Sequence, residues 1–298
     1  MGSADVVPGV SGGTIAFITG IYKELLDSIK SFDTHAFQLL IKGSFHPLWV
    51  YVNGKFLAVL LSGIALSILT FANLIHYLLD HNPIQLWSFF FGLIIISSLT
   101  VIKQIKNWRL TVVLGGLAGI LLGYLITDIS PASTPETGLF IFFSGALAIS
   151  AMILPGISGS FILLILGKYE FIISAIKDLN LFVLTLFALG CVVGLLSFTR
   201  LISWFIEKYH DITIALLAGF MLGSLNKIWP WKETLSRRTN SKGELVPYLQ
   251  ENILPTDYLA KTGENPAVLE ALLFAALGIL VVIAIEKIAG YRKTPKIF

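Results

Sequence analysis

A proline-glycine break set among apolar residues occurs twice in this chain. The first copy reads Pro8-Gly9-Val10-Ser11-Gly12-Gly13-Thr14, the second Pro155-Gly156-Ile157-Ser158-Gly159-Ser160. Each is followed by a short apolar run, then by Gly20-Ile21-Tyr22 or Gly167-Lys168-Tyr169 at the same offset. Proline and glycine interrupt a helix, and in lipid the freed backbone groups must find partners inside the protein. Breaks of this kind at matching points of two halves point to the binding region of a membrane transporter.

The surrounding sequence is that of a membrane protein. Its 298 residues are 55% hydrophobic and 13% charged, with a mean hydropathy of +0.83. Apolar stretches recur at 56–79, 84–102, 110–126, 139–154, 181–206, 212–225 and 267–285. A helical span needs roughly 20 such residues, about 17 at the least, so several stretches suffice and others fall just short. Alternating ten-residue segments of a lipid-facing barrel are absent from the sequence, which leaves a helical bundle. The expected fold is therefore all-α: a polytopic membrane protein, each half a re-entrant helical hairpin followed by three transmembrane helices. The halves divide into 1–127 and 128–298, the second with a long extracytoplasmic loop at 227–266. Cys191 is the single cysteine and sits in an apolar stretch, so it reads as a small core residue. The polar, glycine-rich start does not read as a cleavable signal. His35, His46, His76, His81 and His210 fall in loops or at span ends without metal-ligand spacing, so neither metal nor cofactor is expected. No basic, aromatic-interleaved patch suggests nucleic acid.

The repeat continues past the motif at a slightly shorter offset. Gly63 aligns with Gly190, Phe71 with Phe198, Gly92 with Gly219 and Ser97 with Ser224. An apolar lead-in at 139–154 precedes the second motif, whereas the first has almost none. Either the first half has lost that helix or the N-terminus is truncated. Lys and Arg accumulate on the cytoplasmic side. The short basic loop 103–109 and the tail with Lys287, Arg292, Lys293 and Lys296 are therefore placed inside, and 128–138, with Asp128 and Glu136, outside. With the polar stretch 31–55 inside and 227–266 outside, counting spans makes the two halves an inverted repeat. This puts the C-terminus in the cytoplasm.

After Thr14 the chain stays apolar only to Tyr22, nine residues or roughly 13 Å of helix, about half the ~30 Å core. Each Pro-Gly-x-Ser-Gly turn is thus expected near the midplane, opening a half-helix, with Tyr22 and Tyr169 in an aromatic belt. The first amides of a helix lack intrahelical partners and carry partial positive charge. With glycine for close approach and hydroxyls as extra donors, they suit phosphate or carboxylate. Ser11, Gly12, Gly13, Thr14, Ser158, Gly159 and Ser160 are the candidate ligands. The plainer reading is that these glycines only allow tight helix packing. Arg200, inside 181–206, is a further candidate, since an ionisable residue in a span marks function by default; snorkelling to the headgroups near Lys208 is its alternative. Asp5 reads as a coupling-ion or gating residue, or a partner of the cap amides. Lys168 reads as gating or, more simply, interfacial, like Glu270 at the start of the last span.

The string Ala4-Asp5-Val6-Val7-Pro8-Gly9-Val10-Ser11-Gly12-Gly13-Thr14-Ile15-Ala16, then Gly20-Ile21-Tyr22, resembles the signature of the bacterial polyprenyl-phosphate transporter (PopT) family. Leu154 through Ser160 resembles its second signature, and Leu222-Gly223-Ser224 through Ile228-Trp229-Pro230-Trp231 is also similar. The resemblance implies translocation of undecaprenyl phosphate, the lipid carrier of cell-wall precursors, from outer to inner leaflet of the cytoplasmic membrane. Inward movement of the anionic head opposes an inside-negative potential, so H⁺ or Na⁺ is the expected coupling ion. The expected partners are the lipid phosphate and membrane lipids; oligomeric state stays open. Two other classes compete. A channel or ion-coupled transporter for a small soluble anion would use the same helix ends. An intramembrane serine hydrolase would need a base beside its serine, and no histidine lies deep in a span.

Overall fold

The computed structural model describes residues 1–5, 10–129, 134–239 and 245–292. Val6, Val7, Pro8 and Gly9 of the first motif, and Lys293 and Lys296 of the basic tail, lie outside the described residues. The chain opens with α1 (Gly2–Asp5), α2 (Gly12–Ile18) and α3 (Tyr22–Lys30). Short helices α4 (Thr34–Ile41) and α5 (Phe45–Tyr51) lead to three long ones, α6 (Gly54–His81), α7 (Pro83–Ile102) and α8 (Leu110–Asp128). The order then recurs. α9 (Gly138–Ile153), α10 (Gly159–Ile165) and α11 (Tyr169–Lys177) precede α12 (Leu181–Lys208) and α13 (His210–Ser224). A hairpin of β1 (Lys232–Thr239) and β2 (Leu245–Asn252), then α14 (Pro255–Thr262), intervenes before α15 (Val268–Arg292).

Among the described residues five helices (α6, α7, α8, α12 and α15) are long and apolar enough to span a membrane, and α10 with α11 forms a sixth apolar unit bent by 108°. The molecule is an all-α polytopic membrane protein with one β-hairpin among its described residues. Two stretches read as loops from their polarity are folded. Residues 31–55 carry α4 and α5, and 227–266 carry the hairpin and α14. Asp33 shows why α4 forms: its carboxylate accepts the His35 and Ala36 amides at 2.8 and 3.0 Å, a side-chain cap.

The long helices meet through glycine. Lipid tails are as apolar as leucine, so helices in lipid associate where small residues let backbones approach. A methyl group on Gly92 of α7 would strike the Ala275 carbonyl of α15, and one on Gly278 the Phe89 carbonyl. In α13, Gly219 and Gly223 lie equally tight against Gly116 and Ile120 of α8. In α12, Gly190 and Gly194 meet Phe142 and Ala146 of α9. Residue numbers rise together in the α8–α13 and α9–α12 contacts, and along α7 and α15 Gln85 meets Glu270 and Thr100 meets Glu286, so each pair is parallel. The starts of α7, α9, α12 and α15 therefore gather at one end, with the β-hairpin. The starts of α6, α8 and α13 gather at the other, where the Lys106 and Asn107 amides bind Asp211 at 3.1 and 2.9 Å.

In the second half α9 covers the glycine face of α12. In the first half α1 occupies that place among the described residues, with Gly2 against Ile64, ten residues or about 15 Å along α6. Gly63 consequently faces open space.

Candidate functional site

Both short helices that follow the motifs are closed by glycine. Gly20 and Gly167 have φ of 72° and 63°. The Ile21 amide bonds Ala16 O and the Gly20 amide Phe17 O; Lys168 N–H and Gly167 N–H bond Leu163 O and Leu164 O in the same way. These are matching Schellman ends, and they make α2 and α10 seven residues each; for α2 that is shorter than the nine expected from polarity. The second broken segment leaves by the end at which it entered: Thr134 Oγ1, just before α9, donates to Leu166 O, and Lys168 Nζ donates to Thr134 O at 2.7 Å.

The helix starts are capped by the motif serines. Ser11 Oγ accepts the Gly13 amide at 3.0 Å, and Ser158 Oγ accepts the Phe161 amide at 3.3 Å. The Ser158 and Ser160 hydroxyls lie 3.2 Å apart. The two motifs also hold each other. Ser11 Oγ donates to Met152 O at 3.1 Å, and the Gly156 amide donates to Thr14 Oγ1 at 3.1 Å. Tyr22 reaches the same place, its hydroxyl donating to Ile153 O at 3.1 Å. Met152 and Ile153 end α9, where carbonyls lack intrahelical partners, so the first motif completes the helix that leads into the second. Ser11 and Thr14 are fully buried. Gly156 has φ of 100°, and a Cβ there would sit 2.8 Å from Ser224 Oγ and 3.1 Å from Met221 Cα, so only glycine fits.

Charge around this junction is uneven. At the first motif Asp5 Oδ1 accepts the Gly12 amide at 2.7 Å, realising the cap-amide alternative for that residue. At the second motif the nearby charge is positive. Lys227 Nζ lies 4.6 Å from the Phe161 ring centroid on α10. Lys232 Nζ donates to Lys227 O and lies 4.6 Å from the Trp87 centroid. Burial pushes both ammonium groups down, Lys232 to about 7 with the Lys227 charge contributing. Neither lysine belongs to a Pro-Gly-x-Ser-Gly string, and neither was among the residues expected at the site. Their signal was a lysine on each side of Trp229-Pro230-Trp231 directly after an apolar helix.

Other expected site residues stand apart. Arg200 donates to Leu196 O of its own helix and to Phe32 O between α3 and α4, both at 3.0 Å. Lys168 is 2% exposed and ties the base of the second broken segment together. Tyr22 is 4% exposed and belongs to the interior rather than to an aromatic belt. Glu270 accepts from Gln85 Nε2 at the head of α7. Trp229 and Trp231 donate their indole N–H groups to Ile253 O and Pro266 O, each at 2.8 Å, and so tie the β-hairpin and α14 to the bundle.

Residues 1–246 match the model of a family described as undecaprenyl phosphate translocase-like. The chain is 47% identical to a polyprenyl-phosphate transporter of Vibrio cholerae over 97% of its own length and 94% of the relative's. It is 32% identical to a polyprenyl-phosphate transporter of Staphylococcus aureus over 77% of its own length and 83% of the relative's. No solved structure matches it.

Proposed function

This chain belongs to the undecaprenyl phosphate translocase-like family, and from that premise we propose that it carries undecaprenyl phosphate from the outer to the inner leaflet of the bacterial cytoplasmic membrane, returning the carrier for cell-wall precursor synthesis. The family and its named relatives are transporters, not enzymes. The observation that carries the reading is the junction of the two motifs, in which Gly156 N–H meets Thr14 Oγ1 and Ser11 meets Met152 O. A phosphate held there would draw on both helix starts, on Gly12, Gly13, Gly159 and the Ser11, Thr14, Ser158 and Ser160 hydroxyls, while the long tail stays in lipid. The halves act as an inverted repeat, the first broken segment entered from the cytoplasm and the second from outside, and alternating access rocks one about the other.

The head moves inward against an inside-negative potential of about 2.3 kcal/mol per charge per 100 mV. A phosphate at the first motif also comes up against the Asp5 carboxylate. Both costs fall if H⁺ or Na⁺ travels with the lipid and Asp5 receives it.

Reconstitution into vesicles with polyprenyl phosphate in the outer leaflet tests this. Ser11→Ala, Ser158→Ala and Thr14→Val should each slow transfer by about tenfold or more, the loss of one charge-assisted hydrogen bond. Parent rates in all three, with unchanged melting, would remove the motif junction as the site. Indifference to pH, Na⁺ and voltage gradients would remove the coupling. Uptake of inorganic phosphate without lipid transfer would favour a soluble-anion transporter.

A further inference from the structure

Lys227 and Lys232 place two half-buried ammonium groups together with no anion beside them. Lys227 follows α13, whose Met221 and Ser224 press on Gly156. Its ammonium sits over Phe161, in the first turn of the helix that Ser158 caps. Lys232, at the root of β1, reaches back to the Lys227 carbonyl across the face of Trp87. Neither pairs with a carboxylate among the described residues. Of the acids at this end, Glu233 pairs with Lys261 at 3.0 Å, Glu264 accepts from the Tyr258 hydroxyl at 3.2 Å and Glu270 from Gln85, while Glu251 stands opposite Glu233 on the hairpin and acts on Lys261.

Two unneutralised charges out of water are unfavourable. The faces of Phe161 and Trp87 relieve this only in part. We propose that Lys227 and Lys232 form a second phosphomonoester site at the β-hairpin end of the bundle, which captures the headgroup before it reaches the second Pro-Gly-x-Ser-Gly opening. A doubly ionised phosphate matches two ammonium groups in charge, and lysine's rotatable donors suit an anion that arrives and then leaves. The rings of Phe161 and Trp87 give the pair its apolar wall. The lowered proton affinity of both lysines fits a site built for an arriving anion, because phosphate would restore the proton that burial weakens. The motif junction has the opposite character at its first half, where Asp5 already occupies the Gly12 amide. The inference rests on the transport reading only for the direction in which the headgroup passes.

The test uses the full chain in lipid nanodiscs, with inorganic phosphate, a short-chain polyprenyl phosphate and the corresponding alcohol as probes. Tryptophan fluorescence reads binding, since Trp87 touches Lys232. Both phosphates should bind and the alcohol should not. Lys227→Gln and Lys232→Gln should each weaken binding at least tenfold, and Lys227→Arg should retain most of it. The Lys227 ammonium has no hydrogen bond among the described residues, so Lys227→Gln leaves the fold's own bonds in place. Binding of the polyprenyl phosphate alone would identify a lipid headgroup as the occupant; equal binding of both would show that the phosphate group suffices. Parent-like binding in Lys227→Gln and Lys232→Gln overturns the proposal. If those variants also transport normally while Ser158→Ala does not, the capture site fails and the transport reading stands. If the parent binds phosphate at this pair but moves no lipid, the transport reading fails and the capture site stands.

Discussion

Lys232 carries an ammonium group where the folded state favours the neutral amine. Its affinity for the proton falls from an ordinary 10.5 to about 7, first through burial and then through the Lys227 charge, the charged group whose field reaches it. Between those two values the unfolded chain holds a proton that the folded chain has released, so stability rises with pH across that window. Below about 7 both states are protonated and the full penalty is present. Lys232→Met should therefore raise the melting temperature at pH 7 and below. A shift of this size corresponds to at most about 5 kcal/mol. The gain should shrink as pH rises toward 10.5 and vanish above it. Melting curves of parent and variant between pH 6 and 11 check this, and a gain independent of pH would remove burial of charge as its cause. A residue that weakens the fold when charged and engages no acid among those described is what an anion-capture role would require.

At the scale of the element, glycine decides which helices touch. Helical glycine is less favourable than alanine by about 0.8–1.0 kcal/mol, so its use must be offset by close approach. Gly219 meets the Gly116 backbone, which cannot rotate aside as a side chain can. Gly219→Ala should part α8 from α13 and cost several times the propensity gain. Gly156→Ala should be worse, since its φ of 100° is strained for any side chain and a Cβ would crowd Ser224 and Met221. Gly63→Ala should be neutral or slightly stabilising, because a Cβ there would meet nothing within 4 Å beyond its own helix. Thermal unfolding of the three variants in one detergent ranks them; a destabilised Gly63→Ala would mean that this face of α6 is covered in the assembled protein. The contrast with Gly190, its counterpart in the repeat, arises because α9 has a full-length place on α12 and α1 has one turn on α6.

For the whole molecule, the parallel helix pairs separate two ends of opposite character. One carries the β-hairpin and α14. The other carries the loop with Lys103, Lys106 and Arg109, against which Asp211 is bound. Short basic loops stay in the cytoplasm, which sets the orientation proposed above. With Cys191 replaced by alanine, Lys103→Cys should react with a membrane-impermeant maleimide only after permeabilisation, and Thr256→Cys should react in intact cells. Both positions are exposed. The reverse labelling would invert the direction of transport assigned to each end, and labelling of both from one side would exclude the inverted arrangement.

The sequence by itself determined the solvent of this protein and the doubling of its Pro-Gly-x-Ser-Gly string. Hydropathy over whole spans and the repeated Pro-Gly-x-Ser-Gly string are linear features, and lipid imposes backbone satisfaction on them wherever they fold. The serine hydroxyls were expected as donors to an anion, and the structure adds that they cap α2 and α10, accepting amides two or three residues on. Only the tertiary structure decided which groups meet. It joined Thr14 to Gly156 and Ser11 to Met152, drew Tyr22 and Lys168 into the interior, sent Arg200 to Phe32, and folded polar stretches into α4, α5 and a β-hairpin. It also brought Lys227 over Phe161, across more than sixty residues of sequence. Those outcomes depend on distance and burial, and a charge or a hydroxyl acquires its role only once neighbours remote in the chain have excluded water from around it.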